Sequence, residues 1–130
     1  MQNKPKTGAV VFAKNVGKVA KFYEHLFTMS VAHAEPKKIV LESESILLVI
    51  HGIPEPIADT IVITDPPELR EETPIKLFFP VPSIAEARIK ASALGGKVKP
   101  VSAEWAADNF RACDGFDPEG NIVQFRENAS

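Results

Sequence analysis

Three histidines, His25, His33 and His51, are the first candidates for metal or acid–base chemistry. None stands in an H-x-H or H-x-x-x-H spacing, so together they form no metal motif. His25 falls on the polar side of an expected helix, His33 near a turn, and His51 at a strand end just before Gly52. Cys113 is the only cysteine and follows Arg111-Ala112 with no base adjacent in sequence, so a buried thiol is expected rather than a nucleophile. Lys76 lies between Ile75 and Leu77 in an apolar run. It either snorkels to water from a strand face or presents a cation to an anionic or carbonyl group on a ligand. A buried lysine can also serve as base or Schiff-base former, but no neighbouring residue supports that step. Trp105, in the loop Ser102–Asn109, either anchors that loop or covers a ligand. Phe12, Phe78 and Phe79 either line a cavity or fill a core. Neither G-x-x-x-x-G-K nor G-x-G-x-x-G occurs, and Gly95-Gly96 follows a helix instead of opening one, so no phosphate cradle is expected.

These residues must be positioned by a chain of 130 residues, the size of one domain. Its 45% hydrophobic and 25% charged content is that of a globular protein. A net charge of −2, from 15 basic and 17 acidic side chains, gives no strong field for nucleic acid or an anionic membrane. A single cysteine excludes an internal disulfide and fits a reducing compartment. Met1 to Thr7 is polar and reads as no signal peptide. The longest apolar run, Ile46 to Ile50, is far short of the roughly 20 residues of a membrane helix. The expectation is a cytoplasmic protein.

Ala9–Ala13 reads as a buried strand, and Asn15 as the cap of a helix whose apolar stripe is Val16, Val19, Ala20, Tyr23, Leu26 and Phe27. Strands are predicted over Ser30–Ala34, Lys38–Glu42 and Ser45–His51. From Gly52 to Thr73 the texture changes: prolines 54, 56, 66 and 67 punctuate it, and Glu68, Glu71 and Glu72 make it acidic. It reads as a linker with one short strand at Ile61-Val62-Ile63. Then the first pattern returns. Ile75–Val81 reads as a strand, and Ser83 with Glu86 as a capping box. Ile84, Ala87, Ala91 and Leu94 form a helical stripe closed by Gly95-Gly96. Val98–Val101, Phe110–Phe116 and Asn121–Glu127 read as strands, the last two joined by the turn Asp117-Pro118-Glu119-Gly120-Asn121.

Both halves therefore follow one plan: strand, cap, amphipathic helix, three strands. Their caps, Asn15 and Ser83, stand about half a chain apart. The first module spans 8–51, the linker 52–73 and the second module 74–128 within one domain. Each half is too small to be stable alone and must pack on the other or on a second chain. Two curved sheets side by side leave a concave cavity, a usual place for a small ligand.

The βαβββ repeat, the segment Lys21-Phe22-Tyr23-Glu24-His25-Leu26-Phe27 and the Asp-Pro-Glu-Gly-Asn turn resemble the vicinal oxygen chelate superfamily over nearly the whole chain. That superfamily includes glyoxalase I, extradiol dioxygenases, fosfomycin-resistance enzymes and bleomycin resistance proteins. The resemblance implies an α+β fold of two βαβββ modules forming curved mixed sheets around a cavity. It also implies metal ligands, His and Glu, on the first and last strands of each module. Those positions fall here on Gly8, Lys76 and Gln124, and near Val49 with Leu47 and His51 on the same strand face. Glycine offers no ligand, lysine is a cation, and glutamine is a poor substitute for a carboxylate. His51 alone cannot make the three or four donors a zinc site needs.

The resemblance thus implies a glyoxalase/bleomycin-resistance-like protein that binds a small molecule in a cavity without metal or other cofactor. Lys76, Gln124, Arg111, Trp105, His51 and Phe12 are the expected ligand contacts, with Gln124 lying on one strand face with Ile122 and Arg126. Members often pair or swap modules, so a homodimer is expected, and the 52–73 linker has the reach for a swap. The alternative is a metal-dependent lyase or dioxygenase whose donors are His33, His51, Glu42 or Glu104. A protein sequestering a bulky cationic drug and a protein-interaction module without ligand complete the rivals.

Overall fold

In the computed structural model, which describes residues 6–129, the run Ala9–Ala13 is the heart of a longer strand, β1 (Thr7–Ala13). Alternation along β1 sends Ala9, Val11 and Ala13 to the core. Val10 and Phe12 point the other way and are 54% and 56% exposed, so this strand is covered on one face and not on both as its apolar run suggested. Helix α1 (Val16–Leu26) starts where Asn15 accepts a hydrogen bond from the Lys18 N–H at 3.1 Å, as its capping chemistry predicts. Its stripe is buried, with Phe22 added.

Three strands follow: β2 (Ser30–Glu35), β3 (Lys38–Glu42) and β4 (Ile46–Gly52). They pair antiparallel in sequence, and β4 returns beside β1 in parallel, giving the order β1-β4-β3-β2. The linker holds one short helix, α2 (Glu55–Ala58). Ile61-Val62-Ile63 forms no strand; Val62 faces solvent, and Lys14 Nζ donates to the carbonyl of Ile61. No strand among the described residues pairs with this run.

The second half repeats the first. Its strands are β5 (Leu77–Pro80), β6 (Lys97–Val98), β7 (Trp105–Ala106), β8 (Phe110–Phe116) and β9 (Ile122–Asn128), with α3 (Ile84–Ala93) after β5. The order β5-β9-β8-β6, with β5 parallel to β9, matches that of the first sheet, and β7 adds a short piece on β8. Lys76 sits just before β5 and not within a strand. β6 is cut short by Pro100, which has no N–H to donate, and a turn of 3-10 helix at Val101–Ala103 follows. Only half of the predicted capping box forms. Ser83 Oγ accepts from the Glu86 N–H at 3.1 Å, but Glu127 from β9, not Glu86, reaches the helix start and takes the Ile84 N–H at 2.7 Å. Gly95, at φ +89°, closes α3 in the left-handed conformation that glycine adopts most cheaply.

One core serves both halves. Phe27, at the end of α1, stacks on Phe79 of β5 at 4.3 Å and lies 5.2 Å from Phe125 of β9. Tyr23 stands 5.9 Å from Phe79, and α1 packs beside α3. The helices and the inner faces of both sheets enclose this aromatic cluster, and the outer sheet faces stay open.

Candidate functional site

The turn between β8 and β9 positions everything around it. Asp117 is fully buried and accepts hydrogen bonds from Tyr23 Oη (2.7 Å), Asn121 Nδ2 (2.8 Å) and the N–H groups of Glu119 and Asn121. Burial raises the Asp117 carboxyl above its ordinary value, while its donors, led by Asn121 and Tyr23, work the other way. Glu119 reaches across to the first half, where its two oxygens take the N–H groups of Lys14 and Asn15 at 2.8 and 2.6 Å. Gly120, at φ +86°, brings its carbonyl to the Arg70 N–H at 2.8 Å. A Cβ there would stand 1.9 Å from the Glu68 carbonyl oxygen, so the linker can pass only over glycine. One turn thus holds α1, the linker and β9 together.

Against this clasp lies a cleft of about 610 Å³. The open face of β1 forms one wall, with Gly8, Val10 and Phe12. Leu77 and Ile122 form the other, and Arg70, Thr73 and Ile75 of the linker close one side. β1 and β5 are the edge strands of their sheets, so the cleft opens where the two edges approach. The lining is mostly apolar, with Tyr23 and Asn121 at its floor beside the clasp.

A polar cluster sits on the outer face of the second sheet. Register places Phe78, Gln124 and Asp114 side by side across β5, β9 and β8. Lys76 Nζ donates to Asp114 Oδ2 at 2.9 Å, and Gln124 Nε2 donates to Asp114 Oδ1 at 3.2 Å. Arg126 Nε donates to Gln124 Oε1 at 2.7 Å. The carboxylate can only accept and the guanidinium can only donate, which fixes the orientation of the amide between them. The Arg126 guanidinium lies 3.5 Å from the ring centre of Phe78 and 4.3 Å from that of Phe110, and Trp105 stands 5.7 Å from Phe110.

The residues singled out in the sequence therefore fall into three places. Phe12 lines the cleft, and His51 stands beside it at 5.7 Å between rings, its Nδ1 2.8 Å from the Gly52 carbonyl. Lys76, Gln124 and Trp105 belong to the outer face of the second sheet. Arg111 turns the other way, toward α3: it donates to Glu104 at 2.7 Å, as Arg88 does at 2.7 Å from the other side. These two donors, Arg111 first, hold the Glu104 carboxyl below its usual range and fix the segment that carries Trp105. Cys113 is buried in the core, and burial raises its thiol. Asp114 and Phe110 carry no signal of a role in the sequence, and Arg126 is marked there only as a neighbour of Gln124. Alternation in β9 groups Ile122, Gln124 and Arg126, but their partners on β8 follow only from the register set by the turn.

The strand order, parallel closing pairs and helix placement are those of a known architecture. A glyoxalase-related enzyme from Fulvimarina pelagi superposes with TM-score 0.68 at 16% identity, over 97% of this chain and 89% of that one. A glyoxalase/bleomycin resistance protein/dioxygenase family enzyme from Burkholderia phytofirmans PsJN gives 0.65 at 15% identity, over 94% and 97%. FosX, the fosfomycin resistance protein of Listeria monocytogenes, solved with Mn(II) and sulfate, gives 0.65 at 16% identity, over 99% and 93%. This chain has the vicinal oxygen chelate fold. No protein-family model and no curated protein sequence matches it.

The vicinal oxygen chelate positions for a metal can be tested on this chain's own residues. A Cβ at Gly8 would lie 2.4 Å from the Leu47 carbonyl oxygen, so no side chain enters there without moving β1 off β4. Lys76 is a cation already paired with Asp114, and both ends of the Gln124 amide are engaged. The alternative donors are scattered: His33 contacts Glu35, Glu42 pairs with Lys6, and Glu104 is held by two arginines. Among the described residues no group of three His, Cys, Asp or Glu side chains is placed to hold a metal ion. The donor set does not fit a divalent metal such as the Mn(II) of the FosX structure.

Proposed function

We propose that this chain is a glyoxalase/bleomycin-resistance-like protein that binds a small molecule between its sheets without a divalent metal. One observation carries the reading: the positions that would grip a metal hold a glycine with no room for a Cβ, a lysine paired to Asp114 and an amide engaged at both ends. What remains is an apolar cleft with polar groups on the neighbouring sheet face. Phe12 and His51 supply one wall, Lys76 and Trp105 the polar and aromatic contacts beyond it, and Gln124 acts on the ligand by holding Asp114 and Arg126 in place. Arg111 acts on the ligand through Glu104 and the Trp105 segment. The single cysteine favours a cytoplasmic setting. No helix among the described residues is long and apolar enough to cross a membrane.

The test is elemental analysis of purified protein, followed by addition of Zn(II), Ni(II) and Mn(II). The expected result is substoichiometric metal and no rise in melting temperature on addition. One tightly held ion per chain, or a thermal shift of several degrees, overturns the reading.

A homodimer belongs to the same proposal. Val10, Phe12 and Phe78 leave the open sheet faces apolar, and a second copy of the chain laid across them would enclose the bound molecule. Sedimentation equilibrium is expected to give twice the 14.2 kDa chain mass at micromolar concentration, and a monomer there sets the dimer aside.

A further inference from the structure

Among the described residues Arg126 is a cation without a counter-charge: no carboxylate lies within 4.0 Å of its guanidinium, although the same sheet face carries Asp114. Asp114 is already occupied on both oxygens, by Lys76 and Gln124. The cluster Lys76, Asp114 and Arg126 therefore carries one net positive charge, and that charge resides on Arg126. The rings of Phe78 and Phe110 both pack against the guanidinium, which strips water from it where they touch. Gln124 ties Nε and sets the rotation of the plane. Among the described residues the two terminal nitrogens have no hydrogen-bond partner, and they form the open rim of the fork. A planar carboxylate is the group that meets such a rim with two parallel hydrogen bonds. A dianion is less suited, because Asp114 stands in the same cluster. Beside the rim, Trp105 and the 55% exposed Phe78 offer flat apolar surface.

We propose that Arg126 recognises a monocarboxylate carrying a flat apolar group, with Gln124 as its positioning residue. This deepens the binding reading above and rests on it: the carboxylate seats on the second sheet and the apolar body extends toward the cleft.

Trp105 is the only tryptophan, so its fluorescence reports on the site. Titration with benzoate is expected to give a saturable change, and titration with benzamide, its neutral counterpart, none. Arg126→Gln is expected to weaken benzoate roughly tenfold or more, and Arg126→Lys, which keeps the charge and loses the fork, by a smaller factor. If Arg126→Gln does not fold, the lysine variant carries the test. Equal response to benzoate and benzamide, unchanged benzoate affinity in the folded variants, or binding of inorganic phosphate in place of benzoate overturns the proposal. Nile red, a neutral apolar dye, probes the cleft separately. Dye binding that is lost in Phe12→Ala upholds the cleft whatever benzoate does, and its absence in the unaltered protein overturns the cleft reading.

Discussion

Asp117→Ala is expected to destabilise the fold by about 4 kcal/mol, because a buried acceptor lost this way strands several donors at about 1–3 kcal/mol each. The carboxylate is the acceptor for Tyr23, Glu119 and Asn121 inside the joint between the halves. A domain holds only about 5–15 kcal/mol in all, so the variant is expected to melt far below the parent or to accumulate insoluble. Tyr23→Phe removes one donor and leaves the others, and is expected to cost about 1–2 kcal/mol. Calorimetry on both variants checks the pair; an Asp117→Ala protein as stable as the parent would refute it. The pair also has a pH signature. Burial, then the Asp117 charge, raises the Tyr23 hydroxyl well above its ordinary 10.0. The stability this contributes is complete below pH 10.0 and drains away as pH climbs toward the folded-state value. Tyr23 is the sole tyrosine, so tyrosinate absorbance is expected to appear together with alkaline unfolding. Reversible ionisation near the ordinary value in folded protein would contradict the buried pair.

Phe79→Ala is expected to cost about 3–5 kcal/mol, the usual range for a phenyl ring removed from a packed interior. Phe79 is 4% exposed and stacks on Phe27 of the first half, so the void opens on the seam between the halves. Phe79→Leu fills most of that void and is expected to recover much of the loss. Denaturant unfolding of the two variants beside the parent gives the comparison, and a Phe79→Leu protein no more stable than Phe79→Ala would refute the expectation.

These same residues explain how far the sequence could be read. The two segments that carried the family resemblance, around Tyr23 and around Asp117, touch each other in the structure. The motif is legible because it is one physical joint written in two places. Helix starts were legible for a similar reason, since Asn15 and Ser83 act through neighbours three residues away. The second arm of the Ser83 box was not, because its acceptor comes from Glu127, distant in sequence. Ile61-Val62-Ile63 has the residues of a strand, but pairing needs a partner that local propensity cannot supply. The Lys76–Asp114–Gln124–Arg126 chain was invisible for want of register. Knowing that Asp114 faces Gln124 requires the length and shape of the intervening turn, which shifts every later pair if altered by one residue.

The two strand orders, β1-β4-β3-β2 and β5-β9-β8-β6, have a mechanical result. Each half seals its own backbone ladder, and no described strand of one half pairs with a strand of the other. Widening the gap by a fraction of an ångström therefore breaks no rung; away from the hydrogen bonds that Asp117 and Glu119 make to the first half, it slides rings and aliphatic groups past one another. The width of such a gap is set by a few replaceable side chains, and can drift over generations while both frameworks stay as they are.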